Sequence, residues 1–302
     1  MDFTDVSLVA LKVFREVAER GTFTAAATAL GYTQSAVSRQ IASIERAAQA
    51  QLLERRREGV RLTPAGQVVL RNAARILDQL DSTARELAGL PAEGGTVRLG
   101  WFPSAGAVLV PKAMAALRRS HPAIKVTSRE GSTPALVRAL RAGSLDLALV
   151  ASAPPFRPLD AESPAFDVQV LVERALCLAV PVGHPLAAGE SVPFAELRGQ
   201  QWIAGPASGE EKWMGVWPGL DERPEIVHTA RDWLAKLQLV AAGAGITTVA
   251  PSLEAAAPPG VRILPVHGGP QELRRIVIAR LPGPGSTAAT HLANALRTAT
   301  AT

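Results

Sequence analysis

Residues Gly21–Glu45 read GTFTAAATALGYTQSAVSRQIASIE, two short helical stretches separated by Gly31-Tyr32. Glycine adopts the left-handed conformation that ends a helix without steric cost, so Gly31 predicts a stop. Thr24 is placed as the N-cap of the alanine-rich helix before it, and Thr33 as the N-cap of the helix after it. In the later helix Ala36, Val37, Ile41 and Ile44 form the buried stripe, while Gln34, Ser35, Ser38 and Arg39 share the solvent face. Two helices joined by so tight a turn have helix-turn-helix spacing. The polar face suits a DNA groove: Gln bonds adenine and Arg bonds guanine bidentately, and Ser is small enough to approach a phosphate or base edge. Free N–H groups at the helix N-terminus add an anion site, and Thr24 and Thr33 are candidate DNA contacts as well as caps. The alternative is an ordinary solvated helix face.

Upstream, Leu8, Leu11, Val13, Phe14, Val17 and Ala18 recur at helical spacing, predicting a helix of about residues 5–19 that ends at Gly21. Downstream, Gln51–Thr63 reads as two short strands around Arg56-Arg57-Glu58-Gly59, a β-hairpin wing. Arg55, Arg56 and Arg57 there are candidates for phosphate or minor-groove contacts, although a charge run also serves simply as soluble surface. Residues 1–65 carry nine Lys/Arg against seven Asp/Glu, so DNA binding by this segment requires placed charges rather than bulk charge. Pro64 suits the first turn of a long helix that runs to about Ala88, with Gly89 as its stop. Val69, Ala73, Ile76, Leu80 and Leu87 form a heptad-like seam on it, for self-pairing or for packing on its own domain.

After a linker at Pro91–Gly95, strand-like runs (Val97–Gly100, Ile124–Arg129, Leu145–Val150) alternate with helical ones (Ala105–Ser120, Pro134–Ala142), a βαβαβ order that predicts a parallel sheet. A second block repeats the alternation, with strands near Val168–Glu173, Ala175–Pro181, Gln201–Ala204, Ile226–Thr229, Ile246–Ala250 and Val261–Pro265. Its helices are placed at Pro193–Arg198, Gly209–Val216 and Asp232–Ala242. A strand at Arg274–Ala279 and a helix from Thr287 to about Thr298 follow. Two α/β lobes with a cleft between them result, and ligands in such sheets sit beyond strand ends at helix starts.

The dense match of GTFTAAATALGYTQSAVSRQIASIE, followed by LLERRREGVRLTPAG at Leu52–Gly66, resembles the LysR-type transcriptional regulators. The likeness continues through GTVRLGWFPSAGAVLVP, EGSTPALVRALRAGSLDLALV, PVGHPLA and LVAAGAGITTVAP. It implies an α/β protein with an all-α-type winged helix-turn-helix at its N-terminus and a two-lobed, type II periplasmic-binding-protein-like domain at its C-terminus. The division expected is DNA-binding domain 1–65, linker helix and hinge 66–92, and effector domain 93–302, with lobe 1 at about 93–166 plus 269–302 and lobe 2 at about 167–268. The resemblance further implies dimers through the linker helix, often tetramers, on a pseudo-palindromic double-stranded DNA site, with RNA polymerase a further candidate partner.

In the effector domain, Ser104, Ser132 and Thr133 follow strand ends and begin helices, and Gly205–Ser208 follows the strand of Trp202. By resemblance these segments line an effector pocket, and their N–H groups suit a small anionic organic molecule. Helix capping is the other role open to the hydroxyls. Trp101, Phe102 and Trp202 flank the loops, either to stack on an aromatic effector or as core.

The formal charge of +5 admits an acidic partner without requiring one. The N-terminus has no signal-like segment, no apolar run reaches a bilayer's span, and Cys177 alone cannot form an intrachain disulfide. A cytoplasmic location and no cofactor or metal are expected. The histidines, His121, His184, His228, His267 and His291, lack metal-like spacing, and no nucleophile elbow or phosphate loop occurs. An enzyme is therefore disfavoured, as is a solute-binding protein, given residues 1–90.

Overall fold

The structure, a computed structural model, describes residues 3, 5–56, 59–87, 94–205, 214–283 and 285–301. Helices α1 (Leu8–Arg20), α2 (Phe23–Leu30) and α3 (Gln34–Ala48) precede a hairpin of β1 (Leu53–Arg56) and β2 (Gly59–Leu62). Their caps explain the boundaries. Ser7, Thr22 and Thr33 each accept a hydrogen bond from the backbone N–H three residues on, while Gly21 and Gly31 end α1 and α2 in the left-handed conformation. The cap of α2 is therefore Thr22 rather than Thr24, which is exposed in the first turn and whose carbonyl accepts from Thr28 Oγ1. The expected start of the first helix also moves, from residue 5 to Leu8. Phe14, Val17, Ala26, Val37, Ile41, Ile44 and Leu52 close one core.

The long helix α4 (Pro64–Leu87) leaves this core and leads to β3 (Gly95–Trp101), α5 (Leu109–Ser120), β4 (Ile124–Glu130), α6 (Thr133–Arg141) and β5 (Leu147–Ser152). There follow β6 (Asp167–Ala175), β7 (Cys177–Pro181), β8 (Val192–Pro193), β9 (Gln201–Ala204), β10 (Glu225–Thr229) and α7 (Trp233–Ala241). The chain ends with β11 (Thr247–Val249), β12 (Val261–Leu264), β13 (Val266–His267), β14 (Leu273–Arg280) and α8 (Thr287–Ala301).

Lobe 1 is a five-stranded sheet ordered β4-β3-β5-β14-β6. β3 runs parallel to β4 and β5, as βαβ crossovers require, but β14 is antiparallel to both β5 and β6. The sheet is therefore mixed rather than parallel. β6, placed by sequence in the second lobe, is the edge strand of the first, paired from Asp167 to Ala175. Lobe 2 holds β7 between antiparallel β11 and β12, with β9 and β10 parallel beside them. Of the helices expected there, 193–198 is a single 3₁₀ turn at Phe194–Leu197, and Met214–Val216 is non-helical; residues 209–213 lie outside the described residues.

The helix-turn-helix domain rests on lobe 1. Ala142, just past α6, is fully buried within the helix-turn-helix core, and Gly143 abuts Ala74 of α4. No described helix is long and apolar enough to cross a membrane.

Candidate DNA-binding face and effector cleft

Thr33 Oγ1 accepts from the Ala36 N–H at 3.2 Å and lies 3.0 Å from Ser35 Oγ, which fixes the first turn of α3. Gln34, Ser35 and Arg39 are exposed on this helix and Ser38 is half-buried. A groove of about 730 Å³ runs between α3 and the wing, lined by Phe23, Ser38, Ala42, Glu54, Arg55 and Arg56 among others. Glu45 sets its floor: its Oε1 accepts from Leu52 N at 2.8 Å and Leu53 N at 3.3 Å, tying β1 to α3. The Arg55 guanidinium lies 5.3 Å from the Phe23 ring centroid, which holds the cation at the groove. Arg56 is paired with Glu54 at 2.5 Å, so it must leave that partner to meet a phosphate. Arg57 lies outside the described residues. Arg61, exposed on β2, also belongs to this face; its place opposite Glu54 in the hairpin register could be found only once the hairpin was known.

The seam on α4 divides. Ala73, 1% exposed, and half-buried Val69 pack into the helix-turn-helix core, so Ala73 is not offered to a partner. Ile76, Leu80 and Leu87 remain exposed, Leu87 at 85%. Ile76 and Val68 join Phe3, Val6 and Leu8 in an apolar groove of about 620 Å³ between the two ends of the domain.

In the effector domain, Ser104 sits in a 3₁₀ turn, Pro103–Gly106, directly after β3, and Ser132 is the residue before α6. Ser132 makes no side-chain cap, and neither Ser104 nor Thr133 has a side-chain hydrogen bond among the described residues. Capping, the competing role, is thus not what these hydroxyls do. Ala107, three residues past Ser104, packs against the lobe 2 cluster of Ile203, Leu237 and Val240, bringing this loop to the end of β9. Gly205 is buried there, its N–H donating to the Met214 carbonyl at 2.5 Å. A Cβ on it would come within 3.6 Å of Lys236 Nζ. Burial lowers the Lys236 pKa, and the ammonium has no partner among the described residues. Sequence reading missed this lysine because a lone Lys in an apolar helix carries no motif. Phe102 is half-buried at the same loop, whereas Trp202, 1% exposed, is a core residue of lobe 2 and cannot stack on a ligand. Ser208 lies outside the described residues.

Cys177 is partly buried, and its thiol pKa is raised by burial and by Glu254. The His121 and His291 rings meet at 3.7 Å, yet no group of three or more potential metal ligands occurs among the described residues.

A winged helix-turn-helix on a helical stalk, followed by a two-lobed ligand-binding domain, defines the class of ligand-responsive transcriptional regulators. The model of the bacterial regulatory helix-turn-helix protein, lysR family, matches residues 8–67, and that of the LysR substrate binding domain matches residues 92–301. The chain belongs to the LysR family of transcriptional regulators. A probable hydrogen peroxide-inducible genes activator of Mycobacterium xenopi is 35% identical over 189 residues, 62% of this chain and 96% of that protein. Full-length OxyR from Pseudomonas aeruginosa aligns with a TM-score of 0.61 at 23% identity, over 97% of this chain and 98% of that one. Full-length CbnR complexed with its target DNA aligns with a TM-score of 0.54 at 23% identity, over 97% and 99%.

Proposed function

We propose that the chain binds a pseudo-palindromic promoter site through α3 and the wing, as a dimer or tetramer built on the exposed apolar residues of α4. Occupancy is set by a small anionic organic effector held between the lobes. Residues Gln34, Ser35, Ser38 and Arg39 read the major groove, and Arg55, Arg56 and Arg61 hold phosphates beside it. What supports the effector reading is the set of hydroxyls at Ser104, Ser132 and Thr133 on lobe 1, without partners among the described residues, together with Lys236 beside Gly205 on lobe 2. A carboxylate there would be offered neutral donors by one lobe and a desolvated cation by the other. Each hydroxyl would contribute about 0.5–1.5 kcal/mol, or up to about 3 with a charged ligand. The protein acts in the cytoplasm and performs no catalysis.

A peroxide response, which the name of the mycobacterial relative suggests, would have to use Cys177 alone. The thiolate is the reactive species, and burial disfavours it here. The test of the proposal is a gel shift with the DNA upstream of the chain's own gene, repeated with a panel of small carboxylates. Retardation altered by one of them supports it; no retardation under any condition overturns it.

A further inference from the structure

We infer that lobe 1 carries a docking face for the helix-turn-helix domain of its own chain, and that α6 connects this face to the effector loop. Glu19, near the end of α1, is 8% exposed although it is charged. What buries it is lobe 1: Arg129 of β4 pairs with its carboxylate, and Arg138 Nε of α6 donates to its backbone carbonyl at 3.4 Å. A buried charge persists only when paired, so the pairing and the docking require one another. Arg129 is itself aimed by Ser144, whose Oγ accepts from Nη2 at 3.1 Å and donates to the Ala139 carbonyl.

The face is shaped as well as charged. Gly143 has φ +63°, and a Cβ there would stand 2.3 Å from the Ala74 Cβ, so α4 approaches this corner as closely as glycine permits. Ala142 enters the helix-turn-helix core. A second tether runs from Gln67 Nε2 of α4 to Glu162 Oε2 at 3.2 Å. The loop bearing Glu162 is held to the C-terminal end of α6 by Arg141, which donates to Asp160 at 2.9 and 2.7 Å and to the Pro164 carbonyl at 2.6 Å.

One element joins the two ends. α6 begins at Thr133, in the candidate effector loop, and its last residue precedes Ala142, about 14 Å away at 1.5 Å per residue. Arg129 is likewise three residues from Ser132. A shift of the effector loop and a shift of the docking face are therefore movements of the same rigid piece, and by reciprocity what loosens one loosens the other. This connection rests on the effector reading above for its biological use; the docking itself does not.

Hydrogen exchange on the full-length chain, without effector, tests both parts. Glu19→Arg opposes two arginines and should accelerate exchange of amides 138–145, on the other domain, at least tenfold. The exchanged pair, Glu19→Arg with Arg129→Glu, should restore protection. Ala74→Arg, a wedge on a different element, should open the same segment, which guards against misfolding of α1 in the first variant. The hydrogen-bonded amides of Gly131 and Leu136, at the far end of α6, should accelerate in both opened variants. Unchanged exchange at 138–145 in Glu19→Arg and Ala74→Arg, or no restoration by the exchanged pair, overturns the docking face. Acceleration at 138–145 with none at Gly131 and Leu136 overturns the connection through α6.

Discussion

Gln34 and Arg39 are the residues whose roles are easiest to separate. If they read bases, replacing either with Ala should cost about 1–3 kcal/mol on the specific site and far less on random DNA. Equal losses in a binding titration on both would reduce them to phosphate contacts. Thr22 and Thr24 offer a different comparison. Thr22→Ala removes the cap of α2 and should lower stability by about 1 kcal/mol in denaturant melts, while Thr24→Ala, exposed and uncapped, should be near neutral. Sequence places the cap two residues late because both threonines precede helix formers, and only the chain direction at Thr22 distinguishes them. Lys236 yields a prediction of opposite sign in two assays. Its pKa is lowered in the fold, so the unfolded chain holds this proton more tightly. Stability from this group should rise with pH between the lowered value and the ordinary lysine range near 10.5. Lys236→Met should accordingly raise the melting temperature of the free protein at neutral pH and weaken its response to an anionic effector. A variant that melts lower, or responds undiminished, contradicts that role.

At the scale of elements, α4 was legible as a helix from its long run of helix formers, but its seam was only half legible. Period alone cannot distinguish the side of a helix that meets its own domain from the side that meets a partner. Ala73 faces inward and Ile76 outward, 45% exposed. The partner-facing claim therefore rests on Ile76, Leu80 and Leu87. Changing Ile76 and Leu80 to Glu would bury unpaired charges in a dimer, at several kcal/mol, and should shift sedimentation toward monomer. An undisturbed oligomer would move the interface elsewhere. The strands were likewise found as strands, while their partners were not. β6 reads as the first strand of lobe 2 by order, yet it hydrogen-bonds to β14, far later in the chain. No local pattern records a pairing at that separation.

For the molecule as a whole, the helix-turn-helix was readable from Gly21–Glu45 because caps, stripe and polar face all lie within 25 consecutive residues. The effector cleft was readable only as a set of loop positions. Whether Trp202 faced ligand or core, and whether Lys236 came to the end of β9 at Gly205, depend on packing between segments distant in sequence. The buried Glu19 was invisible for the same reason, since α1 and β4 are neighbours only after the two domains meet. The central claim, that α3 and the wing recognise a specific promoter site, is tested most directly by fluorescence anisotropy. The wild-type chain and the Gln34→Ala, Arg39→Ala double variant would be titrated onto labelled DNA from upstream of its gene and onto a shuffled duplex of equal length. The account predicts tight, salt-sensitive wild-type binding to the upstream DNA, weaker binding to the shuffled duplex, and a double variant whose preference between them is lost. Equal wild-type affinity for both duplexes, or a preference that survives in the double variant, would contradict it.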